Sequence, residues 1–274
     1  MSLLAHVRAP ASTANVGPGF DCVGVALDLW NELEVREGGG EAADRDHLGV
    51  RAFSLLEPVD GRQFTFVDRI SPERGLGSSA AVIALGLVAA AVVGGHDADP
   101  EELLAAGLEL EGHSDNLGAA LAGGVCLTRG TRIARIADAP PAVPIALVPD
   151  STVSTAAARD ALPEQVSHAD AVFTATQAAI LGAALASCSA ELFAESLEDR
   201  LHEPYRAAWA PLLEGVRRDL PTGALGATLS GSGPTVVVWA REAAAIRCAD
   251  ELAHRYPDVR VLRLGVSPEG AHAL

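Results

Sequence analysis

Apolar and polar residues alternate from the start of the chain. "LLAHVRAPAS" (3–12) reads as a strand ending at Pro10, whose ring removes the amide a ladder needs. "GVALDLWNELEVREGGG" (24–40) alternates again and stops at a triple glycine, as a strand or hairpin would. The period then changes. Leu48, Ala52, Leu55 and Leu56 recur at helical spacing, and "RQFTFVDRI" (62–70) returns to alternation. Ala80 to Val93 forms an apolar helix. Asp99, Pro100 and Glu102 supply an N-cap, an N1 proline and an N3 carboxylate for the next one. "AGGVCLTRG" and "VPIALVPD" read as strands.

Past the proline-rich bend "DAPPAVPIALVPD", helical spacing covers Ala169 to Ala186 and Ala190 to Leu201. "ALGATLSGSGPTVVVWA" then places two apolar strands around a glycine-rich loop, and a last helix and "VRVLRLGV" close the chain. The pattern is α+β. The bend divides it near residue 150, giving an N-terminal domain over 1–149 and a C-terminal domain over 150–274.

Composition narrows the function classes. The chain has 274 residues, 49% of them hydrophobic, which is enough for a sizeable core. Its 36 acids against 20 bases leave a formal charge of −16, unlike a nucleic-acid surface or a polybasic membrane patch. All 20 bases are arginines, from GC-biased coding or from adaptation to high salt, so a Walker-type loop with its lysine is excluded. Cys22, Cys126, Cys188 and Cys248 form no CxxC pair, which points to reduced thiols in a cytoplasmic protein rather than zinc. "MSLLAHVRAP" lacks the pattern of a signal peptide. The 16 apolar residues from Ala80 to Gly95 are short for a membrane span and fit a buried helix.

Three stretches carry candidate chemistry. In "SPERGLGSSAAV" (71–82), two glycines and two serines stand directly before the apolar helix. Glycine lets backbone amides approach a ligand, and the helix aims its unpaired N–H groups at the same spot. That is a phosphate site with hydroxyls for a metal, or else a plain serine-capped turn. "EGHSDN" (111–116) gathers carboxylates, an imidazole and an amide, or is a polar helix end. "LSGSGPT" (229–235) is a second glycine-rich loop, or an ordinary hairpin.

Taken in order, the stretches resemble the GHMP kinase superfamily and, within it, the homoserine kinase family. "APASTANVGPGFDCVGVAL" looks like the first motif, "ERGLGSSAAV" like the ATP-phosphate loop and "LSGSGPT" like the third motif. "EGHSDN", "VSTAAAR" and "EPYR" are similar to segments particular to homoserine kinases. The resemblance implies a two-domain fold, an N-terminal domain like ribosomal S5 domain 2 and a ferredoxin-like C-terminal half. It implies ATP and Mg²⁺ as cofactors and L-homoserine as the phosphate acceptor. The loop residues Pro72, Glu73, Arg74, Gly75, Leu76, Gly77, Ser78, Ser79, Ala80, Ala81 and Val82 would surround the phosphates. A hydroxyl from Ser78 or Ser79, with the Glu111 carboxylate, would hold the metal. Asn15, Asp21, His113, Asn116, Thr155, Arg159, Arg206 and Gly231 would line the substrate pocket, with His113, Asn116 and Thr155 nearest the chemistry.

Physical reasoning agrees with that pocket, because a zwitterion needs an anion for its ammonium and a planar fork for its carboxylate. Related sugar and mevalonate kinases carry an aspartate base where this chain has Asn116, and no lysine is available to assist. Transfer without a strong side-chain base follows, by positioning and charge neutralisation. Asp115, beside the phosphates, is expected to be turned away or paired. Other small alcohols (mevalonate, threonine, shikimate) and a non-catalytic ligand sensor are the competing readings. Neither nucleic acid nor a membrane is an expected partner, and a homodimer is compatible with the sequence.

Overall fold

The computed structural model describes residues 2–38 and 44–274, so Gly39 and Gly40 of the triple glycine lie outside the described residues. The first sheet is built on β1 (Leu3–Asn15) and β2 (Gly19–Glu37), a long antiparallel pair. Contrary to expectation, β1 does not end at Pro10. Pro10 lies opposite Trp30 and Ala11 opposite Leu27, so a bulge on β2 absorbs the missing amide and the strand runs on to Asn15. β3 (Arg62–Val67) pairs with β2 after the short helix α1 (Leu48–Ser54).

The sheet covers α2 (Ser78–Gly94), which is buried at nearly every position from Ala80 to Ala91. A helix enclosed on all sides needs no polar face, which accounts for the unbroken apolar run. It packs closely because its glycines allow it: a Cβ on Gly86 would stand 2.2 Å from the Gly49 carbonyl oxygen. α3 (Pro100–Glu111) begins as its cap residues predict, with the Asp99 carboxylate accepting from the amides of Glu101 and Glu102. α4 (Ser114–Ala122) leads into β4 (Val125–Arg129), which pairs with β2. β5 (Arg132–Ala137) pairs with β4 and was not read from the sequence, because "RIARIA" has a mostly exposed, arginine-rich face.

β6 (Val143–Val148) belongs to the second sheet, pairing with β8 (Val236–Ala240) and β9 (Arg260–Arg263); β7 (Ala224–Leu229) completes it beside β8. The strand order β7-β8-β6-β9 is that of a ferredoxin-like sheet. The chain therefore changes sheet at the proline-rich bend, ahead of the expected boundary at 149/150. It also crosses back at its end. Val266 bridges Leu27, and β10 (His272–Ala273) pairs with β1, so the last residues close the first sheet.

Between β6 and β7 run α5 (Thr155–Asp160), α6 (His168–Ser187), α7 (Ala190–Ser196), α8 (Glu203–Arg206) and α9 (Pro211–Arg218); α10 (Ala245–Arg255) joins β8 to β9. α7 stops at Ser196 rather than continuing to Leu201. Asp199 interrupts it by accepting the amides of Leu201, His202 and Glu203, which starts α8. α6 is the one described helix long and apolar enough to cross a membrane; here it lies against α7, with Thr174, Leu181, Ala184 and Leu185 buried. All four cysteines are free thiols.

Two glycine-to-alanine substitutions should move stability in opposite directions. Gly86→Ala drives a methyl into α1 and should cost about 1–3 kcal/mol. Gly182→Ala meets nothing within 4 Å on α6 and should add about 0.5–1 kcal/mol through backbone entropy. Urea melts of the two variants, at unchanged m-value, check both signs.

Candidate active site

The loop before α2 is held by backbone contacts from three directions. Glu73, Gly75 and Gly77 all have positive φ (55°, 79° and 64°). The Glu73 carbonyl accepts from the Val153 amide at 3.0 Å, the Arg74 carbonyl from Thr235 at 3.3 Å and the Leu76 carbonyl from Ser12 at 3.1 Å. Gly75 presses on the second glycine loop: its carbonyl accepts from the Ser230 hydroxyl at 2.5 Å, and a Cβ there would stand 2.3 Å from the Ser230 oxygen. A Cβ on Gly77 would stand 2.0 Å from the Ser12 hydroxyl. Only glycine fits either place.

Gly77 is also the N-cap of α2 and offers no side chain, so the first amides of α2 have no side-chain cap. Their positive dipole end faces a cleft lined by Ser78, Ser79, Glu111, His113 and Asn116. Expected phosphate-loop residues divide into two groups. Glu73, Gly75, Gly77, Ser78 and Ser79 line the cleft. Leu76, Ala80 and Ala81 are buried in the core, and Val82 lies against Gly49, so their side chains cannot reach a ligand. Pro72 is exposed outside the lining. Arg74 is occupied elsewhere, donating to the carbonyls of Pro149 and Asp150. Only the first residues of α2 reach the cleft, because from Ala80 onward the helix is enclosed by the fold.

Glu111, at the end of α3, meets Ser79 across the cleft, accepting from its hydroxyl at 2.8 Å. Burial pushes the Glu111 carboxyl up to about 7; Asp115 adds to the rise and the Ser79 hydrogen bond opposes it. No arginine neutralises this carboxylate among the described residues. A carboxylate and a hydroxyl meeting at the cleft without a neutralising cation are a donor set that fits a hard divalent ion.

Asp115 is not turned away. It lines the cleft, and its carboxylate accepts the Asn116 amide at 2.7 Å at the start of α4. Burial raises it to about 6, opposed by that amide and reinforced by Asp21. Of the two expectations, turned away or paired, the structure shows the second: the oxygen that takes the Asn116 amide also accepts from Asn116 Nδ2 at 3.4 Å. Asn116 is fixed as well, its Oδ1 accepting from the Ser12 hydroxyl at 2.8 Å.

On the far wall, Arg159 of α5 donates from Nε to His113 and from Nη2 to Asp21 at 2.7 Å. Burial first, and then the Arg159 charge, hold the His113 ring below its ordinary pKa. The Asp21–Arg159 pair is over a third exposed on each side, a class of ion pair that is cheap to open. Thr155 stands one turn before Arg159 at the cleft edge.

Arg206 of α8 is buried, donating from Nη1 to the Gly231 carbonyl at 3.1 Å. Burial lowers its pKa, with Asp21 acting against the shift. Asn15 reaches the cleft, but both ends of its amide are engaged: Nδ2 donates to Gly231 and Oδ1 accepts from the Asp21 amide. It and Gly231 act as joints between loops. Ser12, Phe20 and Ser232 were missed in the sequence. Ser12 had a readable signal, a hydroxyl within the "APASTAN" of the first motif; Phe20, at the start of β2, and Ser232, in the second glycine loop, reach the cleft only through the tertiary structure.

Comparisons with known proteins identify the family. The model for the GHMP kinases N terminal domain matches residues 45–124, and that for GHMP kinases C terminal matches residues 183–258. A homoserine kinase of Synechococcus is 40% identical over 257 residues, covering 85% of this chain and 84% of that protein. One of Gloeobacter violaceus is 39% identical over 290 residues, covering 96% and 97%. The crystal structure of homoserine kinase from Cytophaga hutchinsonii superposes with a TM-score of 0.86 at 25% identity, over 98% of this chain and 97% of that one. A mevalonate kinase of Methanococcus jannaschii shares the fold, with a TM-score of 0.69 at 15% identity over 95% and 98%. With both halves matched by family models and relatives of about 40% identity spanning most of its length, the chain belongs to the GHMP kinase family.

Proposed function

We propose that this chain transfers the γ-phosphoryl group of ATP to the side-chain hydroxyl of L-homoserine. The observation that carries the reading is the meeting of two unlike sites in one cleft. An uncapped helix N-terminus with glycine-loop amides forms one wall, and an Asp21–Arg159 pair above the Arg206 fork forms the other. The first suits phosphates. The second complements a zwitterion, whose ammonium and carboxylate can replace the two partners of an exposed ion pair at little cost. The homoserine kinases among its relatives support the same substrate.

Glu111 and Ser79, with Ser78 beside them, are the groups that would hold Mg²⁺. The ion, when bound, neutralises charge on the phosphate oxygens. Asn116 holds a fixed carboxamide where the substrate hydroxyl would lie. His113 has one ring nitrogen occupied by Arg159 and so is poorly placed to take a proton. Phosphoryl transfer tolerates this, because its loose transition state rewards alignment and charge stabilisation more than nucleophile activation. Thr155, at the cleft edge, orients the acceptor. A coupled ADP-release assay with homoserine, threonine, mevalonate and shikimate side by side tests the substrate. Preference for any of the last three would overturn the reading.

Glu111→Gln should keep the fold and lower turnover about 100-fold or more, since an amide cannot supply the carboxylate's charge. Near-normal rates at saturating Mg²⁺ would remove Glu111 from the metal site.

Arg206→Ala should raise the KM for homoserine about thirtyfold or more, as expected for a buried charged contact. Arg159→Ala should raise it less, being partly exposed, and neither should move the KM for ATP appreciably. Initial-rate kinetics in both substrates separate the two sites.

The lowered pKa of His113 means that its ring takes up a proton only in more acid solution than free imidazole, and is neutral at pH 7. The pH–rate profile should therefore carry no histidine limb; a limb near neutrality would belong to Glu111 or Asp115, whose carboxyls burial raises to about 7 and about 6. His113→Gln should keep measurable turnover and the same profile. A profile that loses an acidic limb in the variant would identify a histidine base.

A further inference from the structure

His202, immediately before α8, is fully buried and lies outside the cleft lining, yet both its ring nitrogens are engaged. Nε2 is 2.9 Å from the Gly17 carbonyl, in the turn of the first motif, and Nδ1 is 3.2 Å from Nη1 of Arg206. A carbonyl can only accept and a guanidinium can only donate. The ring is therefore the Nε2–H tautomer, with Nδ1 as acceptor. One face of the ring stacks on Phe20, centroids 4.9 Å apart, and Phe20 in turn lies 5.4 Å from the Arg206 guanidinium carbon. Arg206 also donates to Gly231 through Nη1 and, at 3.4 Å, to Ala158 through Nε, while Nη2 makes no hydrogen bond among the described residues.

α8 has separate anchors. Asp199 takes the amides of Leu201 and His202, which lead into the helix, and of Glu203, its first residue, and the Glu203 carboxylate accepts from the Leu229 amide at 2.8 Å and from Arg217 at 2.6 Å. Both acids thus anchor the start of the helix, leaving the His202 ring, whose Nε2 also lies 3.7 Å from the Asp199 carboxylate, to direct Arg206. We infer that His202 is a positioning residue for the acceptor: it ties the Arg206 fork to the Gly17 turn and leaves Nη2 free for the substrate carboxylate. The inference rests on the reading of Arg206 given above.

Asparagine and glutamine separate the two ring contacts, since an Asn oxygen can stand near Nδ1 and a Gln amide near Nε2. His202→Gln should raise the KM for homoserine about tenfold, with the KM for ATP unchanged, as for a lost hydrogen bond to a charged group. His202→Asn should stay within about threefold of the parent, even if its melting temperature falls as far. In an Arg206→Ala background, His202→Gln should add little, because the group it positions is gone. If Arg206→Ala itself leaves the homoserine KM unmoved, the pocket reading fails and this inference falls with it. If Arg206→Ala raises that KM but His202→Gln does not, or Asn and Gln impair it equally, only the positioning role is overturned. Nitrogen-15 NMR of the parent protein's histidines needs no variant: an Nε2–H tautomer for His202 is expected, and Nδ1–H would overturn the inference even if His202→Gln failed to fold.

Discussion

The close approach of two glycine loops governs this molecule. At Gly75 the backbone of the loop before α2 lies against Ser230 so tightly that no Cβ could stand between them, and Gly77 is equally tight against Ser12. These contacts join distant parts of the chain: the first strand pair, the entry to the central helix and the hairpin of the second sheet. They also bring together groups with no local reason to meet. Asn15 bonds Gly231, Ser12 bonds Asn116, and Arg206 bonds the same Gly231 carbonyl. The cleft is the space left beside this junction, so its geometry depends on backbone contact more than on any single side chain.

Charge is distributed to suit that junction. The chain as a whole is strongly acidic, and the cleft contains acids of its own, Glu111, Asp115 and Asp21. Yet burial raises the Glu111 carboxyl to about 7 and the Asp115 carboxyl to about 6, and a hydroxyl and a helix-end amide face them. The repulsion a phosphate would meet is reduced in this way, while the α2 dipole and two arginines supply the attraction. Arginine suits both wall positions, because its charge survives burial and its flat fork can serve protein and ligand together.

Polar side chains near the cleft are held at more than one atom. Asp199 collects three amides, Glu203 joins a strand amide to Arg217, and His202 uses both ring nitrogens. A group tied at two points loses rotational freedom before substrate arrives, which lowers the entropy that binding must overcome. The second domain contributes through such ties, and its sheet itself stays away from the chemistry.

Much of this was legible in the sequence. Periodicity located the main strands and helices, the Asp99–Pro100 start of α3 followed from capping chemistry, and motif order placed Glu111, His113, Asn116, Arg159 and Arg206 in one cleft. Local rules failed where a distant partner decided the outcome. Pro10 sits inside a strand because β2 bulges opposite it, and α7 ends early because Asp199 competes for the next amides. The last residues return to the first sheet, which no local pattern could indicate. Within the site, the sequence by itself determined which residue types were available and that no lysine was among them. Only the tertiary structure decided that Asn15 would be a clamp, Arg74 a tether, and Leu76, Ala80 and Ala81 core. The reason is that a side chain's role depends on which backbone faces it. In this chain those facing backbones come from loops more than a hundred residues apart in sequence, such as Ser230 against Gly75.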